Sequence, residues 1–166
     1  MKVVYLVRHA KSSWDEIDLD DINRPLNDRG KIDAPEMGQR LKKQGIKPDV
    51  MISSPAKRAR TTAKKIAEEI EYPEDNILID DGFYHGDMNS MLSRIKTLPE
   101  EVNKVMLFGH NPTLTEFANA LCGISIYNIP TCGIVAIEFE NVTWKQIEYK
   151  KGKLVLFDYP KKNIEQ

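Results

Sequence analysis

Two histidines stand where apolar, strand-length runs end. Arg8-His9 closes the run Lys2 to Val7, and His110 follows the run Lys104 to Phe108. Runs as apolar as Val3-Val4-Tyr5-Leu6-Val7 and Val105-Met106-Leu107-Phe108 suit the middle of a sheet covered on both faces, where ligands gather beyond the carboxyl ends of the strands. Arg58, in the stretch SPAKRARTT, falls about one turn into an expected helix, and a long helical side chain leans toward the helix amino end. Two arginines and two histidines are therefore expected at one place, and their chemistry is phosphoryl transfer. A phosphoryl group spreads negative charge over three oxygens, so catalysis needs fixed positive partners more than elaborate covalent machinery. Arginine offers a planar fork that stays charged at any relevant pH, which makes Arg8 and Arg58 the expected clamps. An arginine ending a buried strand also needs an anion or carboxylate beside it.

The motifs RHAKSSW, RPLNDRG followed by Asp33-Ala34-Pro35 and Met37-Gly38, SSPAKRARTTA, LFGHNP and Pro130-Thr131 occur in that order over nearly the whole chain. In order and spacing they resemble the histidine phosphatase superfamily (branch 1, phosphoglycerate mutase-like), and within it the SixA-type phosphohistidine phosphatases. The resemblance implies a phosphoglycerate mutase-like fold and a phosphohistidine enzyme intermediate. His9 is the candidate nucleophile, since a neutral imidazole nitrogen can take a phosphoryl group and release it to water. The resemblance makes His110 the second histidine of the phosphate pocket and sets Arg24 of RPLNDRG near the phosphate. For Arg24 the acidic stretch 15–21 offers surface partners as a second reading. His85 is carried as a substrate-binding candidate at the pocket rim, with an exposed loop histidine as the alternative. Lys11 and Ser12 have contact with substrate phosphate as one reading and an ordinary Ser-rich turn near a strand end as the other, and they are not carried as catalytic. Two positions depart from the wider superfamily: Ala10 replaces a glycine, and Asp15 stands where many members have asparagine.

Phosphatases of this superfamily that act on alcohol esters generally use a carboxylic acid to protonate the leaving oxygen, often a glutamate after the third strand. This chain has only Asp80, Asp81 and Asp87 there. An imidazole leaving group has a conjugate-acid pKa of about 6.5, against about 15.7 for water, so it needs that proton far less. The expected substrate is thus phosphohistidine on a partner protein. A small phosphate ester is the alternative, and a phosphate-binding module without turnover is the non-enzymatic one. No metal-ligand spacing appears, so neither a metal nor another cofactor is expected.

The elements that must position these groups alternate between strand-like and helix-like segments. The expected fold is α/β, a three-layer αβα sandwich with a mostly parallel central sheet. Asp49 to Ser53 reads as the second strand, and Ser54-Pro55 opens a helix in which Ala56, Ala59, Ala63, Ile66, Ala67 and Ile70 form an apolar stripe. Asn111-Pro112 repeats the start signal, and Gly123 ends that helix. Asn27 to Gln44 reads as a helix, with Pro35 implying either a bend or a fresh start at Asp33, whose spacing to Glu36 resembles a capping box. Asn76 to Ile79 reads as a short strand and Asp87 to Leu98 as a helix. Gly133 to Phe139, Thr143 to Tyr149 and Lys153 to Phe157 read as antiparallel carboxyl-terminal strands, and Lys161 to Gln166 as a frayed tail.

The 166 residues fit one domain spanning 1–166. A net charge of -1 argues against coating nucleic acid. Cys122 and Cys132, the two cysteines, lack CxxC spacing and read as small buried residues. No apolar run is long enough for a membrane span and none has a cleavage-site pattern, so a cytoplasmic location is expected.

Overall fold

In a computed structural model, which describes residues 1–15 and 18–162, the run after Met1 forms β1 (Lys2–Arg8) at the centre of a six-stranded sheet. The other strands are β2 (Val50–Ser53), β3 (Leu78–Ile79), β4 (Lys104–Gly109), β5 (Ile134–Phe139) and β6 (Lys153–Asp158). Their order is β3-β2-β4-β1-β5-β6. The first four in that order run parallel, β5 pairs antiparallel with β1, and β6 antiparallel with β5. Register decides where the chemistry lands. Arg8 pairs with Gly109, and Ser53 with Phe108, so β1, β2 and β4 end side by side and His9 and His110 emerge together.

Period-two alternation sends the side chains of each strand to opposite faces, and both faces are covered. Val4, Leu6, Val105 and Leu107 meet α4 (Met88–Lys96) and α5 (Thr113–Cys122) through Met91, Ile95, Leu114 and Phe117. Tyr5, Val7, Met106 and Phe108 meet α1 (Asp28–Lys43) and α2 (Lys57–Ile70) through Met37, Leu41, Ala63, Ile66 and Ile70. The result is the expected three-layer αβα sandwich. A single helical turn, α3 (Gly82–His85), lies between β3 and α4. Among the described residues no helix is long and apolar enough to cross a membrane.

Several local expectations change. Helix α2 starts at Lys57, later than Ser54-Pro55 implies, and no side chain caps it. The Ser54 hydroxyl instead accepts from the Ala56 N–H at 3.1 Å and lies 2.8 Å from His110 Nε2. Helix α1 runs unbroken through Pro35, capped by the Asn27 side chain accepting from the Gly30 N–H. Asp33 starts no second helix. It is buried and pairs with Arg29 at 2.9 Å within one continuous helix whose buried face holds Ala34, Met37 and Leu41. Glycine is required at position 30, because an added Cβ would lie 2.2 Å from the Lys11 carbonyl oxygen, and this close approach brings the start of α1 against the chain leaving β1.

The stretch Thr143 to Tyr149 is not a strand. Trp144–Gln146 forms a 3-10 turn in which Thr143 and Gln146 make a capping box. Trp144 and Ile147, three residues apart, are both buried, and the Trp144 Nε1–H donates to the Val102 carbonyl at 2.7 Å. A buried indole needs such an acceptor, and a three-residue period rather than alternation supplies it. Of the expected tail, 163–166 lie outside the described residues. Before them, Arg40 donates to the carbonyls of Tyr159 and Pro160, and Lys162 to that of Phe157, so the chain is tied down to that point.

Candidate active site

At the carboxyl ends of β1, β2 and β4 lies a cavity of about 340 Å³, lined by Arg8, His9, Arg24, Arg58 and His110 among others. The backbone of His9 is pinned by bonds from its N–H to the Gly109 carbonyl (3.2 Å) and from the Cys132 N–H to its carbonyl (3.0 Å). Ala10, the next residue, donates to Thr62 Oγ1 of α2 at 2.9 Å. The His9 side chain lies 2.7 Å from the Ala10 carbonyl oxygen through Nδ1. A carbonyl only accepts, so Nδ1 carries the proton and Nε2 keeps its lone pair. Burial is the main reason that the imidazole is held down to about pKa 3, with His110, Arg58 and Arg8 pushing the same way and the Ala10 hydrogen bond opposing. The ring is therefore neutral across the physiological range. It meets the His110 ring at 5.2 Å between centroids.

Burial, then Arg58, also lowers the His110 pKa, to about 4. Its Nε2 faces Ser54 Oγ, while its Nδ1 is buried with no hydrogen-bond partner among the described residues. Arg8 donates from NH1 to the Ile129 carbonyl at 3.0 Å, and its Nε is likewise buried and unpartnered. Burial lowers the Arg8 pKa from its ordinary value. Arg58, 6% exposed on the first turn of α2, donates to the Asp21 carbonyl (2.7 Å) and to Asp21 Oδ2 (3.0 Å). Arg24 combines both sequence readings: it lines the cavity and also pairs with Asp21 Oδ1 at 2.9 Å. Its guanidinium lies under the exposed Trp14 ring, 3.2 Å from the centroid, and donates to Ser12 Oγ and the Ser13 carbonyl.

His85 is not brought to the cavity. It is exposed and meets Tyr84 edge-on at 4.8 Å, and Tyr84 in turn meets His110 at 5.5 Å. None of the three aspartates after β3 lines the cavity either. Asp87 caps α4, Asp80 accepts from the Gly82 N–H and pairs with Arg94, and Asp81 is exposed. Asp15 is exposed and also stays out of the cavity lining. Lys11 and Ser12, weighed as phosphate contacts but set aside as an ordinary turn, do line it, as do Trp14, Asn27, Asn111 and Thr131, which the sequence reading passed over. Their signal was their place inside or beside the motifs that contain the four central residues.

What the arrangement can do is bind a tetrahedral oxyanion beside a neutral imidazole with a free lone pair. A sequence model of the histidine phosphatase superfamily (branch 1) matches residues 4–91, more than half of the chain and the part that carries Arg8, His9, Arg24 and Arg58. The chain belongs to the histidine phosphatase superfamily. A chloroplastic protein of Arabidopsis thaliana, itself uncharacterized, is 30% identical over 151 residues, which is 85% of this chain and 68% of that protein. Phosphoserine phosphatase 1 of Hydrogenobacter thermophilus is 31% identical over 134 residues, 77% of this chain and 60% of the enzyme. Among solved structures, a protein from Agrobacterium tumefaciens assigned as the phosphohistidine phosphatase SixA superposes with a TM-score of 0.78 at 28% identity, covering 96% of this chain and 98% of that one. Within the superfamily, the architecture is of the SixA type.

The neutral state of His9 carries a stability consequence. The folded imidazole titrates near 3 and the unfolded one near 6.5, so the stabilising contribution is complete above pH 6.5 and is lost as pH falls toward 3. The slope is about 1.4 kcal/mol per pH unit, or about 2–3 kcal/mol between pH 6.5 and 4.5. In denaturant titrations at pH 7 and 4.5, His9→Asn is expected to shrink the acid-induced loss of unfolding free energy by that amount. An unchanged pH dependence would contradict a buried neutral His9.

Proposed function

We propose that this phosphatase takes its phosphoryl group from phosphohistidine on a partner protein, using His9 as nucleophile. In the first step the His9 Nε2 lone pair forms a bond to phosphorus as the bond to the substrate imidazole nitrogen breaks, and that nitrogen keeps the electron pair. In the second, a water oxygen bonds to phosphorus, the His9 N–P bond breaks, and inorganic phosphate leaves. Arg8 and Arg58 hold the oxyanion in both steps. His110 donates to it from Nδ1, which requires Nε2 to accept a hydrogen bond from the Ser54 hydroxyl.

One observation carries the choice of substrate: no carboxylic acid among the described residues lines the cavity. Asp21, the carboxylate beside it, is held ionised by the Tyr84 hydroxyl and by Arg24 and Arg58, which keep its carboxyl well below the usual range. It has no proton to give. An alkoxide leaving from a simple ester would go unassisted, whereas an imidazole with its other nitrogen protonated leaves as a neutral ring. The approach to the site agrees. Between α2 and α4 the chain forms only a 3-10 turn, two-residue β3 and one-turn α3, and Trp14 at the mouth is 72% exposed. A histidine displayed on another protein can reach such a site.

The test sets a phosphohistidine-bearing protein against phosphoserine and other small esters, phosphoserine being included because of the Hydrogenobacter relative. The expected kcat/KM is higher for the phosphoprotein by at least about 10²-fold, a fraction of the roughly nine-unit gap in leaving-group pKa. Faster turnover of any of the esters would overturn the substrate assignment while leaving the phosphatase chemistry intact.

A further inference from the structure

Two buried cations, Arg24 and Arg58, converge on one cavity, and like charges so placed repel each other unless something holds them. Asp21 stands between them. Its Oδ1 accepts from Arg24 NH1 at 2.9 Å, its Oδ2 from Arg58 NH2 at 3.0 Å, and its main-chain carbonyl from Arg58 NH1 at 2.7 Å. The Tyr84 hydroxyl donates to the same Oδ2 at 2.6 Å, and the Tyr84 ring lies edge-on to His110. One residue thus links two cations of the pocket to each other and to Tyr84, the ring beside His110. It does so from outside the cavity lining, and a guanidinium has five N–H donors, so the two that Arg58 gives to Asp21 leave others for an oxyanion.

We infer that Asp21 is a positioning residue: its carboxylate bridges Arg24 and Arg58 and, with Tyr84, holds both forks at the angle at which they receive the phosphoryl group. The inference rests on the assignment of those arginines as phosphate partners. The Asp21 carboxylate is itself exposed, but the arrangement differs from an ion pair between two exposed side chains, which contributes little, because both cations are buried and both carboxylate oxygens are used. It also differs from a built-in competitor, since a carboxylate that blocked the site would be displaced by substrate and its removal would help binding.

The test compares full-length wild type, Asp21→Ala, Asp21→Asn and Tyr84→Phe for turnover of a phosphohistidine-bearing protein and for vanadate inhibition. Asp21→Ala is expected to lower kcat about a hundredfold, the effect of a misplaced clamp, and to weaken vanadate binding. Asp21→Asn, which keeps the shape but turns one acceptor into a donor facing an arginine, falls with it. Tyr84→Phe loses about fivefold, equivalent to one hydrogen bond. Added formate, a small carboxylate, should restore part of the Asp21→Ala rate while only inhibiting wild type, a response that damaged folding would not show. Unchanged kcat and vanadate binding in Asp21→Ala and Asp21→Asn overturn the inference, and tighter vanadate binding overturns it in favour of a competitor. If Asp21→Ala does not fold, Asp21→Asn and Tyr84→Phe decide by the same criteria. A wild type that neither binds vanadate nor turns over substrate defeats the functional assignment itself, and so is distinct from failure of the role given to Asp21.

Discussion

Replacing His9 by asparagine will lower turnover by at least about 10⁴-fold and abolish the phosphoenzyme. The asparagine amide can still donate to the Ala10 carbonyl, as His9 Nδ1 does at 2.7 Å, so the local backbone has no reason to move. What disappears is the Nε2 lone pair, and with it the covalent step that divides one difficult displacement into two. In wild type, rapid mixing with labelled substrate followed by an alkaline quench should trap phosphate on the protein, and acid should release it. In His9→Asn no label should be retained, although vanadate should still bind because the arginines are untouched. A substitution with more than a few per cent of residual turnover would mean that phosphate goes directly to water or through another residue.

The second large effect belongs to the arginines. Arg8→Ala and Arg58→Ala are each expected to cost about 10²–10³ in kcat, the usual loss when one fixed donor to a developing oxyanion is removed. Lysine should not restore the rate at either position, because a point charge cannot reproduce the paired N–H geometry. The two substitutions should differ in one respect. Arg8 ends a central strand and its NH1 is committed to the Ile129 carbonyl, so its loss also frees a structural contact. Arg58 is joined to Asp21, so its loss leaves that carboxylate with Arg24 and Tyr84. Steady-state kinetics with thermal unfolding as a control separates these: a fall in kcat below tenfold for both alanines would remove the oxyanion-clamp role.

Much of this site was legible in the chain because it is built on regular elements. Parallel strands that end in register bring residues a hundred positions apart to one rung, so the place of His9 and His110 follows from two apolar runs alone. Arg58 followed from the lean of a helical side chain. What escaped were side chains whose role depends on loop paths. Asp21 was visible only as one of several acids before Arg24, and nothing in its spacing says that it reaches α2 and α3. Trp14 was visible as part of RHAKSSW but not as a ring over Arg24. His85 lies exposed, as its alternative reading had it, and its neighbour Tyr84 is the ring that meets His110. The expected strand at Thr143 to Tyr149 failed for a related reason: Trp144 and Ile147 satisfy a three-residue period as well as an aromatic-rich strand composition, and only the buried indole hydrogen bond to Val102 decides between them.

The central claim is that one tetrahedral oxyanion is held jointly by Arg8, Arg58 and His110 while facing Nε2 of His9. A crystal of the protein soaked with vanadate measures this directly. The account predicts vanadium in line with His9 Nε2, at bonding distance, with its equatorial oxygens within hydrogen-bond reach of both guanidinium groups and of the His110 ring. Vanadate bound elsewhere, or bound here with Arg58 turned away and His9 out of line, would contradict it.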